Sequence, residues 1–133
     1  MSVSFVALGL DHRHIYGMTQ NMLSVDATCL GSWTNGNPST LEGFTRRFPD
    51  VHRFENLSKA LGSGADLALI SAVPSDRAAL ANHAIQNGMD VMSDKPGCIT
   101  LQQLDQIRAA VADAGRIWSV NFSERFEVPA VTC

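Results

Sequence analysis

The stretch that decides the fold lies near the middle of the chain and reads Leu67-Ala68-Leu69-Ile70-Ser71-Ala72-Val73. Its residues are almost all apolar and do not alternate with polar ones. This pattern is typical of a central parallel strand that is covered by helices on both faces. We therefore predict a buried strand here.

Similar short apolar runs occur on either side of it, with helix-patterned segments between them. Together the six runs cover residues 4–9, 27–33, 51–54, 66–73, 90–92 and 116–120. This alternation predicts a single three-layer α/β domain of the Rossmann type, with a doubly wound parallel sheet. We expect the strand order 3-2-1-4-5-6. In such sheets ligands bind at the carboxyl ends of the strands, where the order reverses, so the loops after Gly9, Trp33 and Val73 should line any site.

Two helices have clear sequence signals. One runs from about Ser75 to Asn87 and is stopped by Gly88. Its predicted inner face consists of Leu80, Ala81, Ala84 and Ile85. The other runs from Thr100 to Ala114, because Thr100 and Gln103 have capping-box spacing and Gly115 stands where a left-handed residue belongs. Its stripe of Leu101, Leu104, Ile107 and Val111 should lie on the sheet.

Composition excludes several classes of protein. The chain has 133 residues, 45% hydrophobic and 17% charged, and a net charge of −3. This composition predicts one ordinary globular domain without the basic surface that nucleic acid or an anionic membrane would need. No apolar stretch is long enough to span a bilayer and no secretory signal is recognisable, so we expect a cytoplasmic protein. Cys29, Cys98 and Cys133 have no spacing typical of disulfides or zinc.

The turn after the first strand is a modified dinucleotide turn. It reads Gly9-Leu10-Asp11-His12-Arg13-His14, and only the first of the three usual glycine positions holds glycine. The Asp11 carboxylate would repel a pyrophosphate, whereas Arg13 and protonated His12 or His14 could offset that repulsion. The amides at the start of the following helix remain available to an anion.

The second strand ends without the acidic residue that hydrogen-bonds the adenine ribose of NAD. Thr34 stands near that position and could form a weaker hydrogen bond. Without an acid there is no repulsion against a 2′-phosphate, although no arginine follows immediately to bind one. NAD and NADP are therefore both candidates.

The second half of the chain resembles the Gfo/Idh/MocA family of sugar and polyol dehydrogenases. The resemblance is carried by Ser71-Ala72-Val73-Pro74, by Asp90-Val91-Met92-Ser93-Asp94-Lys95-Pro96, by the helix at Thr100, and by Asn121-Phe122-Ser123-Glu124-Arg125-Phe126. It implies that Asp94-Lys95-Pro96 is a variant of the family's Glu-Lys-Pro, with Lys95 as a catalytic residue that moves a proton during hydride transfer. It also implies that residues 72–74 pass close to the nicotinamide.

The predicted cofactor site contains residues from all these segments. They are Gly9, Leu10, Asp11, His12, His14, Thr34, Ala72, Val73, Pro74, Asp94, Lys95 and Pro96. The resemblance further implies a second domain that binds a small-molecule substrate and supplies other proton-transfer groups. We expect residues 1–121 to form the dinucleotide-binding domain and residues 122–133 to begin the connection to that second domain. The 133-residue chain should then be inactive alone.

Two other interpretations remain open. The domain could be a degenerate Rossmann fold that serves as a scaffold or interaction module, which Asp11 and Thr34 favour because both depart from the cofactor-binding pattern. Asp11, His12 and His14 could instead bind a divalent metal. We predict no metal, because two histidines separated by one residue approach each other only in a turn. A homo-oligomer is left open.

Overall fold

The computed structural model describes residues 2–122, which form one parallel five-stranded sheet with helices on both faces. The strands are β1 (Ser4–Leu10), β2 (Thr28–Trp33), β3 (Leu67–Ser71), β4 (Asp90–Asp94) and β5 (Trp118–Asn121). The helices are α1 (His14–Ser24), α2 (Thr40–Arg47), α3 (Leu57–Leu61), α4 (Pro74–Gln86) and α5 (Leu101–Ala114). The strand order is β2-β1-β3-β4-β5. The order reverses between β1 and β3, so the predicted fold class is confirmed.

The three layers follow from alternation of side chains along β1. Val6 and Leu8 pack on the face covered by α4, whereas Phe5 and Ala7 pack on the face covered by α1. All four side chains are fully buried. Successive residues of a strand point to opposite faces, so an uninterrupted apolar run can serve two cores at once.

The predicted strand at residues 51–54 is wrong. This segment makes one isolated bridge, between Ser32 and Arg53, beside β2. Ser32 exchanges backbone hydrogen bonds with His52 and Phe54, and the pairing extends no further. His52 and Arg53 are exposed, so the segment has too little apolar surface to continue as a strand. The five remaining strands keep their predicted relative order.

The helix predicted at residues 75–87 is confirmed as α4, and its four inner-face residues are buried. The ends of α5 also agree with the prediction. The Thr100 hydroxyl accepts a hydrogen bond from the Gln103 amide, and Gly115 has a φ of 65°.

The apolar stripe of α5 differs from the prediction. Ile107 is buried, but Leu101 is 80% exposed. The helix packs mainly against α4 rather than across the sheet, and this leaves its first turn outside the core. Among the described residues, no helix combines the length and apolar character needed to cross a membrane. Of the predicted connection at 122–133, all but Phe122 lies outside the described residues.

Candidate functional site

The backbone of β1 comes very close to the chain that follows β3. Gly9 has a φ of +83°, and a Cβ built on it would lie 2.5 Å from the Cβ of Ala72. Just beyond, the amides of Asp11 and His12 both donate to the Ser71 carbonyl at 3.1 Å. Only glycine allows this close approach without strain. The turn is therefore fixed against the end of β3.

A cleft of about 380 Å³ opens at this point, where the strand order reverses. Its floor is formed by Gly9, Ala72 and Val73. Its remaining walls come from the turn after β1 and from β2, α3 and α4 with their adjoining loops. They include Asp11, Trp33, Asn35, Leu57, Asp76, Ala79, Leu80 and His83. Apolar and aromatic side chains thus face a small number of polar groups, as is typical of small-molecule sites.

The end of β2 presents Asn35 to the cleft instead of Thr34. Thr34 is only 6% exposed, and its hydroxyl accepts a hydrogen bond from the Leu10 amide at 3.0 Å. The Thr40 hydroxyl donates to the Leu10 carbonyl on the same side. Thr34 therefore holds the turn after β1, while Asn35 is exposed and lines the cleft.

Two carboxylates lie along one side of the cleft. Asp11 and Asp76 both line it. Burial raises the pKa of the Asp11 carboxyl, and the neighbouring Asp76 charge raises it further, against smaller opposing effects of backbone hydrogen bonds and Arg77. An anionic group entering beside Asp11 would meet negative charge.

Arg77 belongs to this edge of the sheet although no sequence pattern singled it out, and it is 2% exposed in the first turn of α4. Its guanidinium donates to the carbonyls of Ala72, Asp94, Lys95 and Pro96. It also lies 3.8 Å from the Asp94 carboxylate. Burial lowers the pKa of this guanidinium, and the Asp94 and Asp11 charges oppose that effect. The signal in the sequence was an arginine three residues after Pro74, which follows the buried strand. It was weak because an arginine near the start of a helix is usually exposed to solvent.

A second group of predicted residues meets at the end of β4, outside the cleft. Asp94 is 1% exposed, and His14 Nδ1 lies 3.0 Å from its Oδ1, while His12 Nδ1 lies 3.4 Å from its Oδ2. The Ser71 hydroxyl and the Lys95 amide also donate to this carboxylate. Burial lowers the pKa of the His12 imidazole, and His14 lowers it further, whereas Asp94 raises it.

The predicted site residues are therefore divided between two places at the carboxyl edge of the sheet. Gly9, Asp11, Ala72 and Val73 line the cleft. His12, His14 and Asp94 form the cluster beside β4. Lys95 and Pro96 follow Asp94 on the exposed surface, joined by a cis peptide bond. Leu10 ends β1 and Pro74 begins α4, and neither residue is among those that line the cleft or form the cluster.

The cleft and the turn differ in what they offer a ligand. The cleft has the volume and the apolar walls that are typical of small-molecule sites. In the turn, however, the amides of Asp11 and His12 bind Ser71, and the His14 amide donates to His12 Nδ1. Fewer backbone donors face an incoming phosphate than in an ordinary glycine-rich turn.

Comparison with known proteins gives one family. The model of the oxidoreductase family with an NAD-binding Rossmann fold, Gfo/Idh/MocA, matches residues 15–122. The match begins just after the modified turn. A comparison with curated protein sequences gives no match.

Solved structures agree with this assignment. A protein from Erwinia carotovora atroseptica SCRI1043, assigned as an oxidoreductase, is 33% identical over 98% of this chain, with a TM-score of 0.91. A protein from Desulfitobacterium hafniense, assigned as an NADPH-dependent oxidoreductase, is 16% identical over 99% of this chain (TM-score 0.84). The WlbA dehydrogenase from Chromobacterium violaceum, solved with NADH and UDP-GlcNAcA, is 15% identical over 98% (TM-score 0.84).

This chain spans only 40% of the Erwinia protein and 38% of each of the other two. The last two identities support the fold alone. The family match covers most of the chain, and the cleft lies where a doubly wound sheet binds its ligand. The chain therefore belongs to the Gfo/Idh/MocA oxidoreductase family and is an NAD(P)-binding Rossmann domain.

Proposed function

We propose that the cleft between β1 and β3 holds the adenosine half of NAD or NADP, in a protein that oxidises or reduces a sugar, polyol or related hydroxy compound. This placement puts Ala72 and Val73 beside the adenosine, whereas the family resemblance implies that they pass close to the nicotinamide. The observation that carries this proposal is the cleft's position, with Gly9 packed against Ala72 where the strand order reverses. Trp33, Leu57 and Leu80 supply apolar walls for the purine. The substrate class follows from the family, to which sugar and polyol dehydrogenases belong.

Asn35 is the residue that we assign to the adenine ribose. Its amide can both donate to and accept from ribose hydroxyls, and it carries no charge to repel a 2′-phosphate. An aspartate or glutamate there would favour NAD by that repulsion. We therefore expect NADH and NADPH to bind with affinities within about tenfold of each other, a difference of about 1.4 kcal/mol.

Lys95 is the residue that we assign to proton transfer. When bound, the nicotinamide ring supplies hydride transfer. The Lys95 ammonium, exposed at the end of β4, would polarise a substrate hydroxyl and exchange its proton. Arg77 fixes the backbone on both sides of this lysine through the carbonyls of Asp94 and Pro96, so it acts as a positioning residue.

The scaffold interpretation is the second candidate, and Asp11 favours it. The carboxylates of Asp11 and Asp76 and the internally bonded turn amides weaken binding of a pyrophosphate. A folded domain with a cleft but no affinity for dinucleotides would then serve as an interaction module.

Titration with NADH and NADPH separates these candidates. Trp33 lies in the cleft wall, so we expect its emission to be quenched, with saturation, as reduced cofactor binds. Asn35→Asp should weaken NADPH binding by about tenfold and leave NADH binding unchanged or tighter, because only the 2′-phosphate meets the new charge. Asn37→Asp is the matched control, since Asn37 is exposed in the same loop but does not line the cleft. A flat titration, or equal effects of both substitutions, would contradict the proposal.

A further inference from the structure

We propose that His12, His14 and Asp94 form a binding site for one divalent transition-metal ion. The two histidines come from the turn between β1 and α1, and Asp94 is the last residue of β4. One ligand atom from each residue lies within 4.8 Å of the other two. The sequence alone predicts no metal and offers only Asp11 as a carboxylate beside the histidines, but the fold brings Asp94 to them and leaves Asp11 in the cleft.

The distances suit a shared ion. Zinc lies about 2.0 to 2.2 Å from imidazole nitrogen and carboxylate oxygen, so two ligand atoms of one ion are about 3.0 Å apart at a right angle and about 3.4 Å apart in a tetrahedron. His14 Nδ1 lies 3.0 Å from Asp94 Oδ1 and His12 Nδ1 lies 3.4 Å from Asp94 Oδ2, so each imidazole faces a different carboxylate oxygen. An ion shared by both histidines would therefore bind both oxygens, or one imidazole would rotate toward a single oxygen.

The hydrogen bonds of His12 favour a cation at this place. His12 Nδ1 accepts the backbone N–H of His14 at 3.1 Å, so this nitrogen carries a lone pair. The same nitrogen lies 3.4 Å from Asp94 Oδ2, which is also an acceptor. Two acceptors at this separation repel each other. A positive ion that binds both removes the repulsion, and it takes the single lone pair of Nδ1 in place of the His14 N–H.

The surroundings hold the carboxylate in place and leave the ion accessible. The Ser71 hydroxyl and the Lys95 amide donate to the two oxygens of Asp94, and Arg77 lies beside them. Such partners orient metal ligands and are common around metal sites. The side chains of His12 and His14 are 45% and 37% exposed, so the remaining coordination positions face solvent.

The donor set indicates the class of metal. Two imidazoles with one carboxylate suit zinc, cobalt, nickel or ferrous iron, whereas magnesium and calcium prefer oxygen ligands. Three protein ligands with open positions are also the arrangement found in metal ions that bind water or a substrate oxygen. The inference concerns a site separate from the cleft and does not depend on dinucleotide binding.

The test uses the chain with a histidine-free affinity tag, stripped of metal with a chelator. We expect titration with Zn²⁺ by calorimetry to give one ion per chain, and Co²⁺ to produce visible absorption bands. His12→Gln and His14→Gln should each weaken Zn²⁺ binding by about tenfold or more. His52→Gln is the control, because His52 is exposed and belongs to no such cluster within residues 2–122.

Circular dichroism of each variant checks that the fold is retained, and Asp94→Asn provides a third variant at the carboxylate. The absence of saturable Zn²⁺ binding, or equal affinity in all the histidine variants, would overturn the proposal. NADH titration of the metal-free chain is a separate measurement, so failure of the metal site and failure of the cofactor site can be distinguished.

Discussion

At Gly9 the fold leaves room for a hydrogen atom and nothing larger. Gly9 has a φ of +83°, and a Cβ added to it would lie 2.5 Å from the Cβ of Ala72. Both conditions exclude a side chain, one through backbone conformation and the other through packing. Because this contact forms the floor of the cleft, the residue supports both the fold and the candidate site.

We expect Gly9→Ala to destabilise the domain by about 2 to 5 kcal/mol, from left-handed strain of about 1 to 2 kcal/mol and overpacking of about 1 to 3 kcal/mol. Gly36→Ala is the matched control. Gly36 also has a positive φ, +68°, but nothing lies within 4 Å of its added Cβ. Gly36→Ala should therefore lose only the stability that corresponds to the left-handed strain. Urea unfolding gives the free energy of unfolding of both variants, and equal losses would show that the contact with Ala72 relaxes at no cost.

Some roles of single residues could be predicted from the sequence, and others could not. The requirement for glycine at position 9 follows from the strand-turn pattern, and the structure agrees. The choice between Thr34 and Asn35 does not follow, because it depends on which side chain turns inward to accept the Leu10 amide. The partner of the histidines was equally hidden, since Asp94 is eighty residues away from His14 in the chain.

At the scale of elements, Arg77 connects α4 to the residues at the ends of β3 and β4. Its guanidinium donates to the carbonyl of Ala72 after β3, to that of Asp94 at the end of β4 and to that of Pro96. A buried guanidinium with these partners replaces water as the donor to four carbonyl groups. It therefore fixes the loop that carries Lys95 relative to the floor of the cleft.

We expect Arg77→Met to destabilise the domain by about 3 to 5 kcal/mol, since it leaves buried carbonyls and the Asp94 carboxylate without their charged partner. Arg46→Met is the control. Arg46 pairs with Glu42 on the exposed surface of α2, and such pairs contribute about 0.3 to 0.5 kcal/mol. Chemical unfolding of both variants gives the comparison. If Arg77→Met lowered the free energy of unfolding no more than Arg46→Met does, water would have to replace the guanidinium as donor to the carbonyls.

Helices with strong local signals could be predicted from the sequence. Features that depend on pairing at the edge of the sheet, or on how a helix packs, could not. The capped ends of α5 and the inner face of α4 follow from hydrogen-bonding and helical periodicity within a few residues. The segment at 51–54 resembled a strand, but pairing at the sheet edge was limited to one bridge. Leu101 belonged to a regular stripe, yet α5 packs mainly against α4 and leaves this residue exposed.

For the molecule as a whole, the carboxyl edge of the sheet gathers the cleft and the histidine cluster, with Ser71 linking them. The Ser71 carbonyl accepts the turn amides beside the cleft, and its hydroxyl donates to Asp94 in the cluster. The two proposed sites therefore share one edge of the sheet. The Rossmann fold was predictable from strand alternation alone, but this division of the site required the tertiary structure.

Our last prediction is that the 133-residue chain, purified alone, does not oxidise sugars or polyols at an enzymatic rate even when a dinucleotide is bound. Hydride transfer needs the donor carbon and the nicotinamide to be held about 3 to 3.5 Å apart while a proton leaves the hydroxyl. Lys95 is exposed at the sheet edge, and a single exposed lysine cannot hold a substrate in that geometry. The three solved relatives are more than twice as long as this chain, which spans 38 to 40% of them.

Loss of this positioning can add about 7 to 11 kcal/mol to the barrier, which would bring the rate close to that of the uncatalysed reaction. The measurement is absorbance of the reduced cofactor at high protein concentration, with a panel of sugars and polyols and with both NAD and NADP. Lys95→Ala is the comparison, because background reduction is unaffected by it. Turnover that disappears in Lys95→Ala would refute the prediction, since it would require substrate-positioning groups within these 133 residues or between two copies of the chain.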